Sequence, residues 1–458
     1  MNQTARIISI YAADTSGFCS ALYEYGGMTV IHDASGCNST YTTHDEPRWY
    51  DKDSMMYISG FTEKDAIMGN DQRFVDDLCL AANELRPRFV AICASPLPAM
   101  TGVDLEAIAY EVEEATGIPC FNVKTNGMQS YITGAGNAFL ELARRFTKPR
   151  SDASQLPAPK NFRVNVLGLT PLDFPLEGTV QKIREWLDNN GHILNASVGI
   201  GSLDESAQKI KDANPEKNTE DNLQLKEIIR LADADISLVV SSTGIPLAKY
   251  LYKEYGIPYV AGVPFGNEKA SSILNRDMFK AVNEGKPCDS AKLNHICGKR
   301  IAIIGESLLS ASLANAIYQE YNIPARILES VGDGYLSILN TVDTNPVSSG
   351  TQTDASDIRP DPSGIRPDAS GIQSVTSDIL YDISCDDEDM LEQEIAKSDI
   401  IIADPLFEPI CRGKHFIRLP HAAFSGRCFT KEEVQLINTP ISETRIGKEL
   451  ESFLKNIK

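Results

Sequence analysis

The sequence predicts an α/β fold with three Rossmann-like domains, each built on a doubly wound parallel sheet. Short apolar runs rich in Val and Ile recur along the chain, as expected for strands buried on both faces. Amphipathic patterns such as "EGTVQKIREWLDNNG" lie between these runs. Alternation of strands with helices is typical of parallel sheets, and 458 residues suffice for two or three domains.

The apolar runs give the predicted strands in chain order. They are Arg6–Ile10, Met28–His32, Arg88–Cys93, Pro119–Val123, Arg163–Leu167, His192–Val198, Ser237–Ser241, Pro258–Gly262, Arg300–Ile304, Ala325–Leu328, Asp399–Ala403 and Phe416–Leu419. Polar segments with Pro or Gly interrupt the pattern at Thr147–Asn161 and Asn283–Arg300, and each precedes a new strand. These breaks predict domains at 1–150, 161–296 and 297–458.

The third predicted domain contains a segment of different composition. Three tandem heptads, "DASDIRP", "DPSGIRP" and "DASGIQS", begin at Asp354. Pro, Gly, Ser and Asp dominate them, so the segment buries too little apolar surface to order itself. We expect a low-complexity insert at about 340–376, either a duplicated linker or a docking arm for a partner.

Composition excludes several classes of function. A net charge of −20 argues against nucleic-acid binding, which requires Lys and Arg to neutralise phosphates. No apolar run reaches the length of about 20 residues that spans a membrane, and the start "MNQTARIISI" is too polar for a signal peptide. Ten cysteines without a secretion signal favour a reducing, cytoplasmic location.

Two cysteines are the leading candidates for metal ligation. Cys37 and Cys93 each close a short apolar run, and small residues such as Gly36 and Ala94 flank them. A thiolate at the end of a strand is expected to be exposed and rigidly held, as an iron–sulfur cluster requires. The alternative is a pair of buried cysteines that act as small hydrophobic residues.

The surrounding segments resemble the amino-terminal domain of nitrogenase component 1 subunits. The similar segments, in order, are "GGMTVIHDASGCNSTY", "YISGFTEKDAIMGNDQRF" and "RPRFVAICASPLPAMTGVDLEAIAYEVEEATGIPCFNVKTNGM". Glu63, Asp65 and Gly69 match an acidic motif of that family, and Cys93 with the Gly102/Asp104 region matches its third segment. The resemblance continues through "YGIPYVAGVPFG" and "SDIIIADP", and it implies three α/β domains with metal sites in the clefts between them.

The resemblance implies an iron–sulfur cluster at a subunit interface. Cys37 and Cys93 from each of two subunits would supply four thiolates, enough for one shared [4Fe–4S] cluster. A further family cysteine falls near Ala12, which cannot ligate iron. Cys19 is a candidate substitute or a core residue, and Asp14 or Asp33 are possible oxygen ligands.

The same resemblance points to further site residues. His32 stands where the family often has a histidine, either to donate a hydrogen bond to cluster sulfide or to make a structural one. The family's cofactor-binding cysteine is missing from Ser237–Pro258, so an iron–molybdenum type cofactor is not expected. We expect candidate catalytic residues at Ser241, His421 and Arg427, with Arg427 able to bind an anionic group.

The sequence therefore predicts a subunit of a nitrogenase-like reductase. It would pair with itself or a paralogue and receive electrons from an ATP-dependent iron–sulfur reductase, because the chain has no phosphate-binding motif of the G-x-x-x-x-G-K-[ST] type. The alternatives are a scaffold for metal-cofactor assembly and a metal-free ligand-binding or sensor protein. The sequence does not name the substrate.

Overall fold

Three parallel sheets organise the chain in a computed structural model. The structure describes residues 13–34, 46–150, 161–201, 223–288, 290, 297–331, 383–384 and 388–457. Cys37, the predicted strand Arg6–Ile10 and the predicted insert at 340–376 lie outside the described residues. The α/β fold with parallel sheets is confirmed, while the domain boundaries stay a prediction.

The first sheet has four strands in the order β2-β1-β3-β4, all parallel. Its strands are β1 (Met28–His32), β2 (Met55–Ile58), β3 (Val90–Ala94) and β4 (Cys120–Val123). The helices around it are α1 (Asp14–Leu22), α2 (Glu63–Met68), α3 (Asp71–Leu85), α4 (Pro96–Thr101), α5 (Leu105–Thr116) and α6 (Tyr131–Phe146). Every residue of β1 and β3 is buried, which explains their continuous apolar pattern.

The second sheet repeats this topology in the order β6-β5-β7-β8. Its strands are β5 (Arg163–Leu169), β6 (Ile193–Gly199), β7 (Ile236–Val239) and β8 (Tyr259–Ala261). Its helices are α7 (Thr179–Asn189), α8 (Leu223–Ile229), α9 (Ile245–Tyr255) and α10 (Glu268–Glu284), with 3-10 turns at Leu231–Asp233 and Ser242–Gly244.

The third sheet has five strands in the order β11-β10-β9-β12-β13. Its strands are β9 (Ile301–Gly305), β10 (Ala325–Glu329), β11 (Ile383–Ser384), β12 (Ile400–Ala403) and β13 (His415–Arg418). Its helices are α11 (Ser307–Tyr321), α12 (Glu388–Ile395), α13 (Ala422–Ser425) and α14 (Arg445–Ile457), with 3-10 segments at Pro405–Ile410, Thr430–Glu432 and Ile441–Glu443. The sequence analysis missed β2 and β11.

Helices α1 and α6 cross closely enough to need glycine. A Cβ on Gly134 would lie 1.8 Å from the Asp14 carbonyl oxygen, and one on Gly17 would lie 2.1 Å from that of Tyr131. The glycines of "YITGAGNAF" thus lie inside α6 and serve helix packing. This contact fixes Tyr131, the first residue of α6, beside the second sheet.

One hydrophobic core joins the three sheets. It contains Ile31 and Cys93 of the first sheet, Leu167 and Val239 of the second, and Ile327 of the third. None of the helices in the described part of the chain is both long and apolar enough to cross a membrane.

The strand order reverses in the middle of each sheet, and the loops on either side of the reversal diverge. In open α/β sheets, ligands bind in the crevice that this divergence opens beyond the carboxyl ends of the strands. The reversal falls between β1 and β3, between β5 and β7, and between β9 and β12. These three positions are where the fold predicts functional residues.

Candidate functional site

Asp173 lies at the reversal of the second sheet and is the centre of the candidate site. Its fully buried carboxylate accepts hydrogen bonds from Tyr131 Oη at 2.5 Å, Thr170 Oγ1 at 3.0 Å and Ser241 Oγ at 2.5 Å. His421 Nε2 lies 2.9 Å from Asp173 Oδ1. Four partners fill the acceptor capacity of an ionised carboxylate, so Asp173 holds all of them in place.

We refer to Asp173, Tyr131, Ser241 and His421 as the Asp173 cluster. It unites two predicted site residues, because Ser241 follows β7 and His421 follows β13. Burial, reinforced by the Asp173 carboxylate, raises the pKa of the Tyr131 phenol well above its usual range. Tyr131 therefore stays protonated and donates.

His421 is oriented by a second buried carboxylate. Asp404, which directly follows β12, accepts the His421 backbone N–H at 2.8 Å and Ser425 Oγ at 2.8 Å. With Nε2 held by Asp173, the ring has Nδ1 left, and Nδ1 has no hydrogen-bond partner among the described residues. An imidazole fixed on one nitrogen by a carboxylate can accept or donate a proton on the other.

Glu306 adds an acidic group at the reversal of the third sheet. It caps α11 by accepting the backbone N–H groups of Leu308 at 3.0 Å and Leu309 at 2.9 Å, and it also accepts a short hydrogen bond from Ser242 Oγ. Burial, and then the nearby Asp173 carboxylate, raise the pKa of Glu306 to about 7. Glu306 can therefore exchange a proton near neutral pH.

A cavity opens where these groups meet, between the second and third sheets. Its space amounts to about 630 Å³, including the open mouth, and Asp173, Glu306 and His421 line it together with apolar side chains such as Phe174 and Leu309. Apolar walls with a few convergent polar groups are typical of sites that bind small organic molecules. The site can hold a small molecule beside several proton-exchanging groups.

Arg427 takes no part in this cavity. Its guanidinium lies over the ring of Tyr50, 4.4 Å from the ring centre, and it is absent from the cavity lining. The structure therefore does not place Arg427 beside His421 in this cavity, and its binding of an anionic group stays a prediction from the sequence.

The first sheet carries a different polar arrangement at its reversal. Asp33 follows β1 and accepts a hydrogen bond of 2.5 Å from Ser95 Oγ, which follows β3. Asp14 is fully buried and accepts the backbone N–H groups of Asn126 and Gly127, each at 2.8 Å. Both aspartates, considered above as oxygen ligands of a metal, thus accept hydrogen bonds from the protein itself.

The sequence predicted an exposed Cys93 at the end of a strand, but the structure buries this residue. Strand β3 continues to Ala94, so Cys93 lies within it, and the residue is 0% exposed in the hydrophobic core. Burial raises the pKa of the Cys93 thiol, which also makes a hydrogen bond with Thr125. Ligation of a cluster shared with another subunit would require this thiol to be uncovered and deprotonated, and it stays a prediction from the sequence.

Cys19 is buried in the same core. It is 0% exposed on α1, and burial, with smaller contributions from Cys93 and Glu46, raises the pKa of its thiol well above the usual value. Deprotonation, which metal ligation requires, is therefore opposed at this site. Of the two predicted roles for Cys19, cluster ligand or core residue, its burial favours the core residue.

His32 makes the structural hydrogen bond that was one of its two predicted roles. Its Nδ1 lies 2.8 Å from Ser59 Oγ, and its ring stacks on Phe74 with centroids 4.1 Å apart. Burial lowers the pKa of His32 to about 4, so the ring is neutral at physiological pH. A neutral imidazole in this position stabilises the end of β1.

The described residues do not by themselves fit an iron–sulfur cluster. Among them there is no group of three or more His, Cys, Asp or Glu side chains placed to hold a metal ion. Cys93 and Cys19 are core residues, and Cys37 lies outside the described part of the chain. Ligation by Cys37 remains a prediction from the sequence.

Sequence reasoning missed Asp173, Glu306, Asp404 and Tyr131. Three of them carry a common signal, because an acidic residue follows a buried strand within four positions in "GLTPLD", "IIGE" and "IIAD". Tyr131 carries no such signal, since its role depends on the contact between α1 and α6.

Comparisons with known proteins place the chain in a family. A protein in Methanosarcina barkeri, the nitrogenase iron-molybdenum cofactor biosynthesis protein NifE, is 26% identical over 227 residues, which cover 48% of this chain and 44% of that protein. One subunit of the light-independent protochlorophyllide reductase of Prosthecochloris aestuarii is 24% identical over 261 residues, covering 56% of this chain and 43% of that protein. The matched regions thus span less than half the length of these relatives.

A solved structure shares the fold over the whole chain. "Nitrogenase Cp1 at pH 6.5" superimposes with a TM-score of 0.60 and 14% identity, covering 100% of this chain and 91% of that one. The family model described as "Nitrogenase component 1 type Oxidoreductase" matches residues 25–295, more than half of the sequence. The chain belongs to the nitrogenase component 1 type oxidoreductase family.

Proposed function

We propose that this chain is a subunit of a nitrogenase-like reductase that reduces a small molecule in the cavity between the second and third sheets. The Asp173 cluster carries the proposal. It places the Asp173 carboxylate and the His421 imidazole on one wall of the cavity, and Tyr131 donates a hydrogen bond to that carboxylate. Reduction by low-potential electrons requires protons at the same place, and this cluster can deliver them.

The proposed reaction adds two electrons and two protons across one unsaturated bond. An ATP-dependent iron–sulfur protein supplies the electrons, in keeping with a family of oxidoreductases. His421, with Nε2 held by Asp173, donates a proton from Nδ1 and is reprotonated from solvent, since its side chain is 11% exposed. Glu306, whose pKa is raised to about 7 by burial, supplies the second.

The partners and the electron entry are part of the same proposal. The chain pairs with a second copy or a paralogue, and Cys37 and Cys93 are the ligand candidates for an interfacial cluster. No described residue completes such a site, so we derive no step through it. The proton-donating role of the Asp173 cluster does not depend on the cluster type.

Dye-linked reduction tests the proposal. Anaerobic protein is mixed with reduced methyl viologen, the iron–sulfur reductase fraction, ATP and a panel of unsaturated small molecules, and loss of the viologen colour is followed. We expect one class of compound to accelerate oxidation, and Asp173→Asn to slow it about a hundredfold or more, the usual share of general acid catalysis. Asp188→Asn, an exposed aspartate on α7, is the matched control; equal rates in the two variants contradict the proposal.

A scaffold for metal-cofactor assembly is the second candidate. It is favoured by the similarity to NifE, whose name describes a cofactor biosynthesis protein. A scaffold would bind a metal cofactor and release it to another protein without consuming viologen electrons. Transfer of metal from the loaded chain without substrate reduction would favour this candidate.

A further inference from the structure

The charge of the cavity lining sets the class of molecule that the cavity can bind. Asp173 and Glu306 lie on the lining together with His421, whereas no Lys or Arg lies among the lining residues. Even a protonated His421 offsets only one of the two carboxyl groups. The lining thus offers negative charge and no fixed positive charge.

A third carboxyl group strengthens this imbalance near the mouth. Glu433 directly precedes the lining residue Val434 and lies close enough to His421 to interact with it electrostatically. Arg427, the nearest arginine in sequence to His421 on its carboxyl side, lies over Tyr50 instead. The arginines at 418 and 445 pair with Glu432 outside this cavity.

The remaining wall is apolar. Phe174 and Phe265 approach from the second sheet, while Leu309 and Leu313 approach from α11. A ligand that fills this space must bury an apolar body and present polar atoms only toward Asp173, Glu306 and His421. Above about pH 7, where Glu306 is ionised, a carboxylate there would face two like charges and lose its hydration, which is unfavourable without a cationic partner.

We infer that the cavity binds a small apolar molecule with one basic nitrogen, held as an ammonium group by Glu306 with the Asp173 charge nearby, and that it rejects carboxylates. This inference rests on the proposed function in taking the cavity as the substrate site, and it narrows the substrate to nitrogen bases, such as imines and their amine products. Charge-assisted hydrogen bonds from an ammonium group to carboxylates are among the stronger polar contacts.

Isothermal titration calorimetry with three probes of equal shape tests the inference. The probes are cyclohexylmethylamine, cyclohexylmethanol and cyclohexanecarboxylate, added to the full chain at pH 7.5. We expect the amine to bind at least tenfold more tightly than the carboxylate, with the alcohol between them. Equal or tighter binding of the carboxylate, or no binding of any probe, overturns the inference.

Two variants locate the binding. Glu306→Gln keeps a hydrogen-bond acceptor at the start of α11, and we expect it to reduce the preference for the amine at least threefold. Glu408→Gln removes a charge that pairs with Arg418 outside the cavity, and it should leave the preference unchanged. If both variants lose the preference for the amine equally, the overall negative charge of the chain attracts the amine, and the inference is overturned.

Failure of the inference and failure of the proposed function give different results. If the chain prefers the amine but never consumes reductant, the binding inference holds and the reductase proposal is wrong. If the chain reduces a compound but binds carboxylates as tightly as amines, the reductase proposal holds and the inferred substrate class is wrong.

Discussion

His421 Nε2 lies 2.9 Å from Asp173 Oδ1, although 248 residues separate them in the chain. The contact joins the loop after β5 to the residue that precedes α13, so the second and third sheets meet at a hydrogen-bonded pair. Tyr131 reaches the same carboxylate from α6. The relative placement of three separate segments therefore depends on one aspartate.

The first prediction concerns stability around Asp173. Tyr131→Phe and Ser241→Ala each remove one donor and should lower the free energy of unfolding by about 1 kcal/mol. Asp173→Asn leaves several buried donors with a poorer acceptor, and we expect a loss of about 3 kcal/mol, as in broken buried networks. Urea unfolding measures all three, and a smaller loss for Asp173→Asn than for Tyr131→Phe would contradict the assignment.

The second prediction concerns Glu306 and pH. Burial raises the pKa of Glu306 in the folded chain from its ordinary 4.5 to about 7, so the folded state holds this proton more tightly than the unfolded state. The resulting stability is fully present below pH 4.5 and is lost as the pH rises to about 7. The loss amounts to about 3 kcal/mol.

Glu306→Gln should flatten that part of the stability profile. Glu433, whose pKa burial also raises to about 7, leaves a share of the decline in place. Glu408→Gln, at a half-exposed side chain, is the control and should follow the wild type. An unchanged slope in Glu306→Gln between pH 5 and 7 argues against a buried, protonated Glu306.

The third prediction concerns His32, whose contribution to stability falls on acidification, whereas that of Glu306 falls as the pH rises. Burial lowers the pKa of His32 from 6.5 to about 4, so the unfolded chain binds this proton more readily than the folded chain. Its stability contribution is complete above pH 6.5 and falls as the pH drops toward 4, by about 3 kcal/mol.

His32→Gln isolates this effect when it is made in the Glu306→Gln background. The two residues lie in different sheets, so their contributions should be additive. We expect the double variant to lose less stability than Glu306→Gln alone on acidification from pH 6.5 to 4. Parallel stability curves for the two proteins would show that His32 is protonated in the folded state.

The fourth prediction concerns a buried ionic group beside the first sheet. Arg48 is 1% exposed and contacts Glu46 at 2.5 Å and Glu24 at 3.0 Å. Arg48→Met would break the buried ion pair with Glu46, which is 0% exposed, at a cost of about 3–5 kcal/mol. Thermal and urea unfolding measure the loss.

An exposed pair provides the control for Arg48. Arg73 is more than half exposed and lies 3.8 Å from Asp77 and 3.3 Å from Asp65, so Arg73→Met should change stability by about 0.5 kcal/mol or less. Adding Glu46→Gln to Arg48→Met should restore part of the stability. If the double variant is no more stable than the single one, the buried charge of Glu46 is not the cause of the loss.

The sequence predicts the sheets well because buried parallel strands have a local signature. Strands β1, β9 and β10 lie where the apolar runs predicted them, whereas the edge strand β2 has a partly exposed face and a weak pattern. The end of β3 shows how a small error matters. One further residue of strand moves Cys93 from the edge into the core and places Ser95 at the edge.

The site was predicted only in part, since it forms through long-range contacts. Ser241 and His421 were identified as candidates, but Asp173, which joins them, carries only the weak signal of an acidic residue shortly after a buried strand. Arg427 lies close to His421 in sequence, yet its side chain faces Tyr50. Proximity along the chain is a weak guide to which side chains share a cavity.

Iron analysis tests the central claim that this chain is a redox subunit. Iron, acid-labile sulfide and the EPR spectrum after dithionite reduction would be measured on anaerobically purified wild type, Cys37→Ser and Cys93→Ser. We predict about two iron atoms per chain in the wild type, as for one four-iron cluster shared by two chains. Both variants should lose them, because a four-iron cluster shared by two chains needs two thiolates from each chain. Iron-free wild-type protein, or full iron content in Cys37→Ser, would contradict the account.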